Sequence, residues 1–508
     1  MTRATEIEVR LTAPGKLLDR VARSRVVQAH VSGTPQLREQ TTVYWDTPDH
    51  RFRNDGIALR VRTMADGSRI TSMKSEGDDF VTRSEIEIRA DDQRPSLAAL
   101  MDAGWKPKKA LRRHEAEIGP VLASEVRRRA VPLAFPDGTR AELALDEGHL
   151  RGFGNGNATE RISEVEIELV EGDVLRIFEL ASALQDEVRG LRLGFRSKAD
   201  RGFALVTGTP PTPRKARRPA ASAKLSAGMV AVRAAAEAIS QVAYNVDGAI
   251  SAREPDFVHQ LRIGIRRYRV AMRIARRAGL LMPAVALMNE VKALWDLLGD
   301  VRDWDVFATD TWPAIAERRE LADRAAVEAA IARERGASRQ RLDAVLAAPR
   351  FQQTIIAMLW SLEHQRAEAR AQEAHGARAL ARKVLKRDHE RVCGHKRLRA
   401  LSPAARHQLR INAKKLRYAA EFFGELFPAH AVKRFTARLA DLQDDLGELN
   451  DLAVAPARLH PLLAGIGDSS AVAVRALWTE HESSRQAAVQ RRLSRTWKRF
   501  EKVPAFWR

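Results

Sequence analysis

Charged and apolar residues alternate in several short runs of the first two hundred residues. Period two is the spacing of a strand with one apolar face. Glu6-Ile7-Glu8-Val9-Arg10 sets Glu6, Glu8 and Arg10 on one face, and Ala58-Leu59-Arg60-Val61-Arg62 does the same with Arg60 and Arg62. Arg83-Ser84-Glu85-Ile86-Glu87-Ile88-Arg89 and Glu164-Val165-Glu166-Ile167-Glu168-Leu169 continue the pattern. Asp66-Gly67 and Asp137-Gly138 separate strand-like runs and predict hairpin turns. Helical patches interrupt the strands near 15–29, 96–103 and 173–189. From about residue 225 the period changes to 3.6, and long Ala/Leu/Arg/Glu segments predict helices. Pro255 and Pro403 stand where a first-turn proline belongs, and Ser402 is a good N-cap. Thr207 to Lys224, TGTPPTPRKARRPAASAK, predicts an extended, exposed, basic linker. The pattern therefore divides the chain into 1–206, 207–224 and 225–508.

The helical part is duplicated. His259-Gln260-Leu261-Arg262-Ile263 returns as His407-Gln408-Leu409-Arg410-Ile411, 148 residues on. The same offset carries Arg266 and Arg267 onto Lys414 and Lys415, Arg269 onto Arg417, and Leu298-Gly299-Asp300 onto Leu446-Gly447-Glu448. At about 100° per residue, His259, Arg262, Arg266, Arg269 and Arg273 fall within roughly 80° of one another. His407, Arg410, Lys414 and Arg417 form a matching stripe, closed by Glu421. Apolar residues flank both stripes, which suits a groove better than a solvated face. Cations so placed need an anionic partner, either a ligand or internal carboxylates. The internal candidates are Asp300, Asp303, Asp305, Asp444, Asp445, Glu448 and Asp451. The histidines admit three roles: core residue, metal ligand or phosphate contact. No second ligand stands one helical turn away, so a phosphate contact is preferred.

The charged strand faces also admit two explanations. One is an ordinary wet sheet. The other follows from segregation: carboxylates dominate some faces and guanidiniums others. Rows of carboxylates repel unless a cation lies between them. Mg²⁺ or Mn²⁺ suits oxygen ligands, and arginine rows suit the phosphates that such metals bridge. Closing the strands into a barrel would bring both sets together in a tunnel, the preferred arrangement.

Composition narrows the partners. The formal net charge is +21 with a pI near 10.6, which favours nucleic acid, an anionic membrane surface or a phosphate polymer. Heavy Ala and Arg usage accounts for some of the surplus but not its placement. Aromatics make up 6% of the chain and few interleave with the basic stripes, whereas single-strand nucleic-acid binders need stacking platforms. Nucleic acid is thus not expected as a specific ligand. The run Arg382, Lys383, Lys386, Arg387, Arg391, Lys396, Arg397 and Arg399 either extends the groove or is a solvated face. Cys393 is the only cysteine, which excludes an intrachain disulfide and a cysteine-based zinc site. No apolar run approaches 18 residues and no signal-peptide pattern opens the chain, so a cytoplasmic protein without a membrane span is expected.

Several motifs occur in one order: Glu6-x-Glu8-x-Arg10, Tyr44-Trp45-Asp46-Thr47-Pro48-Asp49, Gly56-Ile57-Ala58-Leu59-Arg60-Val61-Arg62, Lys74 and Arg83-x-Glu85-x-Glu87. Asp146-Glu147-Gly148, Ser163-Glu164-Val165-Glu166-Ile167-Glu168-Leu169 and Ser197-Lys198-Ala199-Asp200-Arg201-Gly202 follow. Together they resemble the CYTH domain, the triphosphate tunnel metalloenzyme fold. The duplicated helical half resembles the CHAD domain, a histidine-containing α-helical domain that often follows it. The resemblance implies an α+β two-domain protein. Residues 1–206 would form an eight-stranded antiparallel β-barrel tunnel, and 225–508 an all-α pair of four-helix bundles related by a pseudo-two-fold.

It further implies a Mg²⁺- or Mn²⁺-dependent triphosphatase acting on phosphoanhydride bonds. Glu6, Glu8, Arg10 and Lys74 would be catalytic; Glu6, Glu8, Asp146, Glu166 and Glu168 would hold metal. Arg60, Arg62, Lys74, Arg83 and Lys198 would hold triphosphate, joined by Arg112 or Arg113. Arg10 departs from the family's usual lysine, and its planar fork changes contact geometry while keeping the charge. The helical half would bind inorganic polyphosphate through His259, Arg262, Arg266, Arg269, Arg273, His407, Arg410, Lys414 and Arg417. The alternative is a weakly catalytic or non-catalytic polyphosphate-binding protein recruited to polyphosphate granules. Adenylate cyclisation, also known for the barrel family, ranks behind triphosphatase because no purine pocket is visible in the sequence.

Overall fold

The structure, a computed structural model, describes residues 4–508 apart from 78, 107–113, 155–157, 220, 253, 319–320, 322, 374, 395–397, 399–400 and 465. The chain forms two compact units. One comprises 1–214, 243–252 and 348–363; the other comprises 215–242, 253–347 and 364–508.

The alternating runs become long antiparallel strands: β1 (Ala4–Thr12), β2 (Gln36–Asp46), β3 (Ile57–Met64), β4 (Arg69–Glu76), β5 (Thr82–Ala90), β6 (Gly119–Ala134), β7 (Arg140–Gly152) and β8 (Thr159–Glu171). They run in the order β5-β4-β3-β2-β6-β7-β8-β1, and β1 pairs again with β5, closing an eight-stranded antiparallel barrel. Closure removes the unpaired edges of an open sheet. The two-residue β9 (Arg192–Leu193) pairs with β1 outside this ring. Gly67 and Gly138 take positive φ of 82° and 85° at the β3–β4 and β6–β7 turns, where a side chain would be strained.

The barrel is apolar outside and polar inside. Leu59, Met73, Ile86 and Ile88 on the outer face of β3–β5 pack with Phe52 of α3 (Arg51–Asn54) and with Leu97 and Leu100 of α4 (Leu97–Asp102). Val9 and Leu11 are fully buried, as are Ile177 and Phe178 of α5 (Leu175–Glu187), which packs on β1. The helices α1 (Leu17–Ala22) and α2 (Arg25–Gln28) lie earlier in the chain. With the outer face committed to helices, period two forces the charged residues inward. Tyr44, Leu122, Val126, Leu150, Ile162 and Phe203 form an apolar cluster under α6 (Lys198–Thr207), whose N-terminus is fixed by a capping box between Ser197 and Asp200.

The second unit is helical. The helices after the barrel are α7 (Ala227–Ser251), α8 (Pro255–Arg277), α9 (Val285–Val306), α10 (Trp312–Ala316), α11 (Arg324–Ala347), α12 (Pro349–Ala371), α13 (Ala377–Cys393), α14 (Pro403–Phe423), α15 (Ala429–Leu463) and α16 (Asp468–Glu501); residues 243–251 of α7 and 349–363 of α12 belong to the first unit. The offset of 148 residues that relates Pro255 to Pro403 also relates α7, α8, α9 and α11 to α13, α14, α15 and α16. Both prolines open their helices, and Ser402 Oγ accepts the Ala405 N–H. Gly299 and Gly447, matched in the repeat, lie inside α9 and α15.

Residues 208–219 form neither helix nor strand, but they are not wholly exposed. Arg214 lies 3.8 Å from the Tyr244 ring centroid, and its backbone N–H donates to Asn245 at 2.9 Å. Arg217 pairs with Glu237 at 2.9 Å. The segment expected to be an extended, exposed basic linker is held at two of its arginines. Among the described residues, no helix is long and apolar enough to cross a membrane.

Candidate active site and basic helical stripe

Strand register brings the barrel's charged residues together. Glu6 faces Arg83 of β5, while Glu8 and Arg10 face Glu168 and Glu166 of β8. Lys74 Nζ donates to both Glu6 oxygens at 2.6 and 2.5 Å and lies 3.3 Å from Glu85. Arg60 donates to Ser72 at 2.7 Å and to Glu85 at 2.9 Å. Arg10 pairs with Glu8, with Glu166 at 3.3 Å, and donates to the Arg196 carbonyl at 3.2 Å. Lys198, in the first turn of α6, lies 2.8 Å from Asp146 and 2.9 Å from Glu166 and also contacts Glu164. These groups surround a cavity of about 370 Å³. Among the described residues expected at the barrel site, Asp146 alone does not line it; its carboxylate is 0% exposed. Arg112 and Arg113 lie outside the described residues.

Charges in this cavity are unevenly matched. Burial opposes the charge of Arg10, yet Glu8, Glu166 and Glu164 raise its pKa above the ordinary arginine range. Burial likewise opposes Lys198, and Asp146, Glu164 and Glu166 overcome it. Burial opposes the Glu166 carboxylate too, but Lys198, Arg128 and Arg10 hold it well below the usual range. Arg62 is the opposite case: first Arg60, then burial, then Arg128 depress it, and its buried Nε has no hydrogen-bond partner. That guanidinium wants an anion. Burial, then the charge of Glu6, pushes Glu168 up to about 7.

Two groups were not singled out by sequence. Arg128 of β6 chelates Asp146 with two 2.7 Å bonds and also bonds Glu166. It sits in the run Arg127-Arg128-Arg129, where three like residues hide which one points inward. Glu164 shares the inward face with Glu166 and Glu168, a parity the alternation itself shows, and joins Glu166 among the oxygen donors. Asp146, Glu164 and Glu166 each offer an oxygen, all within 4.8 Å of one another. This oxygen-only donor set fits a hard divalent cation. Glu6, Glu8 and Glu168 line the cavity but stand outside that cluster.

In the helical unit the two stripes face one another. Burial together with Arg266, Arg410, Arg262 and Arg417 pushes Lys414 down to about 5. Burial, with Arg262 and Arg410, pushes Arg266 down to about 10. The internal carboxylates are mostly engaged elsewhere. Asp300 binds Arg458, Arg341 at 2.7 Å and Ser338 at 2.7 Å; Asp305 binds Arg335 at 2.7 Å; Asp445 and Glu448 both bind Arg492. Among the described residues, the carboxylate contacts of Arg262 and Arg417 are long: 3.4 Å to Asp303 and 3.7 Å to Glu421, which also binds Arg267 at 2.8 Å. Arg273 lies apart, held by Asp388 at 2.7 and 2.6 Å.

Burial, then Arg302, holds His259 down at about 4, so its imidazole is neutral at pH 7 in the unliganded chain. His407 is exposed, and its Nδ1 lies 2.8 Å from Asn450 Oδ1. An aromatic does enter the stripe, from a different helix. The Trp295 ring lies 5.0, 4.7 and 5.5 Å from the guanidinium carbons of Arg262, Arg266 and Arg269. Such contacts stabilise cations that have no carboxylate. The ring is already occupied by arginines and is not an open stacking platform for bases.

A closed antiparallel barrel with an acid–base interior, followed by a duplicated helical unit, defines a two-domain architecture. Residues 4–203 match the CYTH domain and residues 233–460 match the CHAD domain. The chain belongs to the CYTH–CHAD proteins, a CYTH barrel followed by a CHAD helical domain. It is 27% identical over 166 residues to an inorganic triphosphatase of Haemophilus influenzae, covering 32% of this chain and 44% of that one. The match thus spans under half of that relative's length. The CHAD domain of the plant Ricinus communis superposes with a TM-score of 0.52 at 25% identity, covering 58% of this chain and 98% of that one.

Proposed function

We propose that the barrel is a divalent-metal-dependent triphosphatase, acting on inorganic triphosphate or the end of a longer phosphate chain, and that the helical unit binds inorganic polyphosphate. The observation that carries this reading is the barrel's inward face, where an oxygen-donor cluster and the under-neutralised Arg62 line or back one cavity. The Haemophilus influenzae relative supports the chemistry. Mg²⁺ or Mn²⁺ held by Asp146, Glu164 and Glu166, with Glu6 and Glu8 as further oxygen ligands, would supply charge neutralisation to the phosphate oxygens. Arg60, Arg62, Arg83 and Lys74 clamp the chain in line. Glu168, whose carboxylate lines the same cavity, takes the proton of the attacking water. A P–O bond forms to the water oxygen, the anhydride P–O bond breaks, and the shorter phosphate departs. Substituting Arg60 and Arg62 by alanine is expected to raise KM for triphosphate at least tenfold; an unchanged KM would remove them from the clamp.

One observation favours the weaker-enzyme alternative. Lys198, Arg10, Arg128 and Lys74 already neutralise the tunnel's acids. A barrel that keeps those pairs in the presence of metal would be passive, leaving polyphosphate binding as the function. Replacing His259, Arg262, His407 and Arg410 together by alanine should abolish polyphosphate binding; retained binding would place the ligand elsewhere. Work in the cytoplasm, at polyphosphate granules, follows from this reading.

A further inference from the structure

The basic character of the helical unit does not stop at the facing stripes. At the C-terminal end of α8, Arg273 and Arg277 meet α13, and α13 packs on α14. Asp388 of α13 is 1% exposed, and the Arg273 fork takes both its oxygens; Arg277 reaches it only at 3.8 Å. Arg387 and Arg391 lie on the same helix, one turn apart and exposed. Lys415 of α14 is half-buried beside them. Five cations thus gather around one carboxylate, and among the described residues no carboxylate lies within ion-pair distance of Arg387, Arg391 or Lys415. Burial, then Arg273, depresses both Arg277 and Lys415, and Arg391 contributes to each. Arg269, the exposed member of the α8 stripe, also acts on Lys415, so the cluster adjoins the stripe.

We infer that Arg277, Arg387, Arg391 and Lys415 form a second anion subsite, which takes a later segment of the same linear phosphate polymer that enters at Arg262 and Lys414. This rests on the proposed polyphosphate binding by the stripes. Arg262 and Arg277 are fifteen residues apart on α8, roughly 22 Å at 1.5 Å per residue. Three phosphates cannot span that distance, whereas a long polymer lies along it. The exposed guanidiniums are poorly matched internally and offer planar two-pronged contacts to phosphate oxygens. Asp388 has the separate task of tying α8 to α13.

The test is calorimetric titration of the full chain with tripolyphosphate and with polyphosphate several tens of phosphates long, at fixed ionic strength. Arg387→Ala/Arg391→Ala changes two exposed residues and leaves Asp388 and its partner intact. Its affinity for the long polymer is expected to fall at least tenfold while tripolyphosphate binding is unchanged. Lys383→Ala/Lys386→Ala serves as the control for bulk charge, because those exposed lysines line a different cavity beside Trp507. It should bind both ligands like wild type. Unchanged long-polymer affinity in the arginine variant, or an equal loss in the lysine variant, would overturn the subsite. If wild type binds neither phosphate, the stripe reading itself fails, which is distinguishable from failure of the subsite alone.

Discussion

Lys414 shows most directly how one residue reports on function. Cations dominate its surroundings, and its folded pKa of about 5 lies far below the ordinary lysine value. Between pH 5 and about 10 the unfolded chain therefore binds one more proton at this site than the folded chain. The site's contribution makes the unliganded chain more stable as pH rises through that window. Lys414→Met is expected to raise stability at pH 7 by on the order of 1 kcal/mol, measured by denaturant unfolding, and to flatten that slope. A bound phosphate reverses the logic: the anion favours the ammonium, so binding takes up a proton. Titrations at pH 7.5 in buffers of different ionisation enthalpy should show that uptake, and Lys414→Met should lose it. Proton release on binding would contradict the account. In the barrel, Arg128 carries the corresponding structural burden. Its removal leaves Asp146 buried behind the cavity with Lys198 as its remaining cation, and Arg128→Met should cost about 3 kcal/mol.

At the scale of elements, the strands and helices were legible because period two and period 3.6 each persist over long segments. Residues with clear alternation, such as Glu6, Glu8 and Arg10, could be assigned a face from sequence alone. Arg128 could not, because flanking arginines erase its parity. Trp295 could not, because its place beside the stripe depends on how α9 packs against α8, a relation with no local signature. The motif Asp146-Glu147-Gly148 carries a backbone reason as well as a carboxylate. A Cβ at Gly148 would sit 1.9 Å from the Glu125 carbonyl oxygen across the β6–β7 ladder. Gly148→Ala must push the two strands apart next to Asp146 and Arg128. A loss of about 3 kcal/mol is expected, read from the urea midpoint of the full chain. A neutral substitution would show that the ladder has slack there.

At the scale of the molecule, charge is arranged oppositely in the two units. The barrel gathers acids and bases into one cavity where they pair; the helical unit gathers cations and sends most of its acids elsewhere. The first arrangement suits exchange of internal ion pairs for metal and phosphate, the second suits holding a polyanion. Composition alone gave the surplus of positive charge but not this division. Polyphosphate affinity should fall steeply between 50 and 200 mM salt, as expected when a polyanion meets many cations. Duplex DNA at equal phosphate concentration should compete poorly, because its rigid backbone cannot follow the facing stripes. Efficient competition by DNA would identify the helical unit as a general polyanion binder.

The most direct measurement is phosphate release from inorganic triphosphate by the full chain, with Mg²⁺, with Mn²⁺ and with chelator, beside Glu6→Ala/Glu8→Ala. The account predicts release that requires the divalent cation and falls at least a hundredfold in the variant. No release with either metal, in a chain that still binds polyphosphate, would contradict the triphosphatase and leave the barrel a passive tunnel.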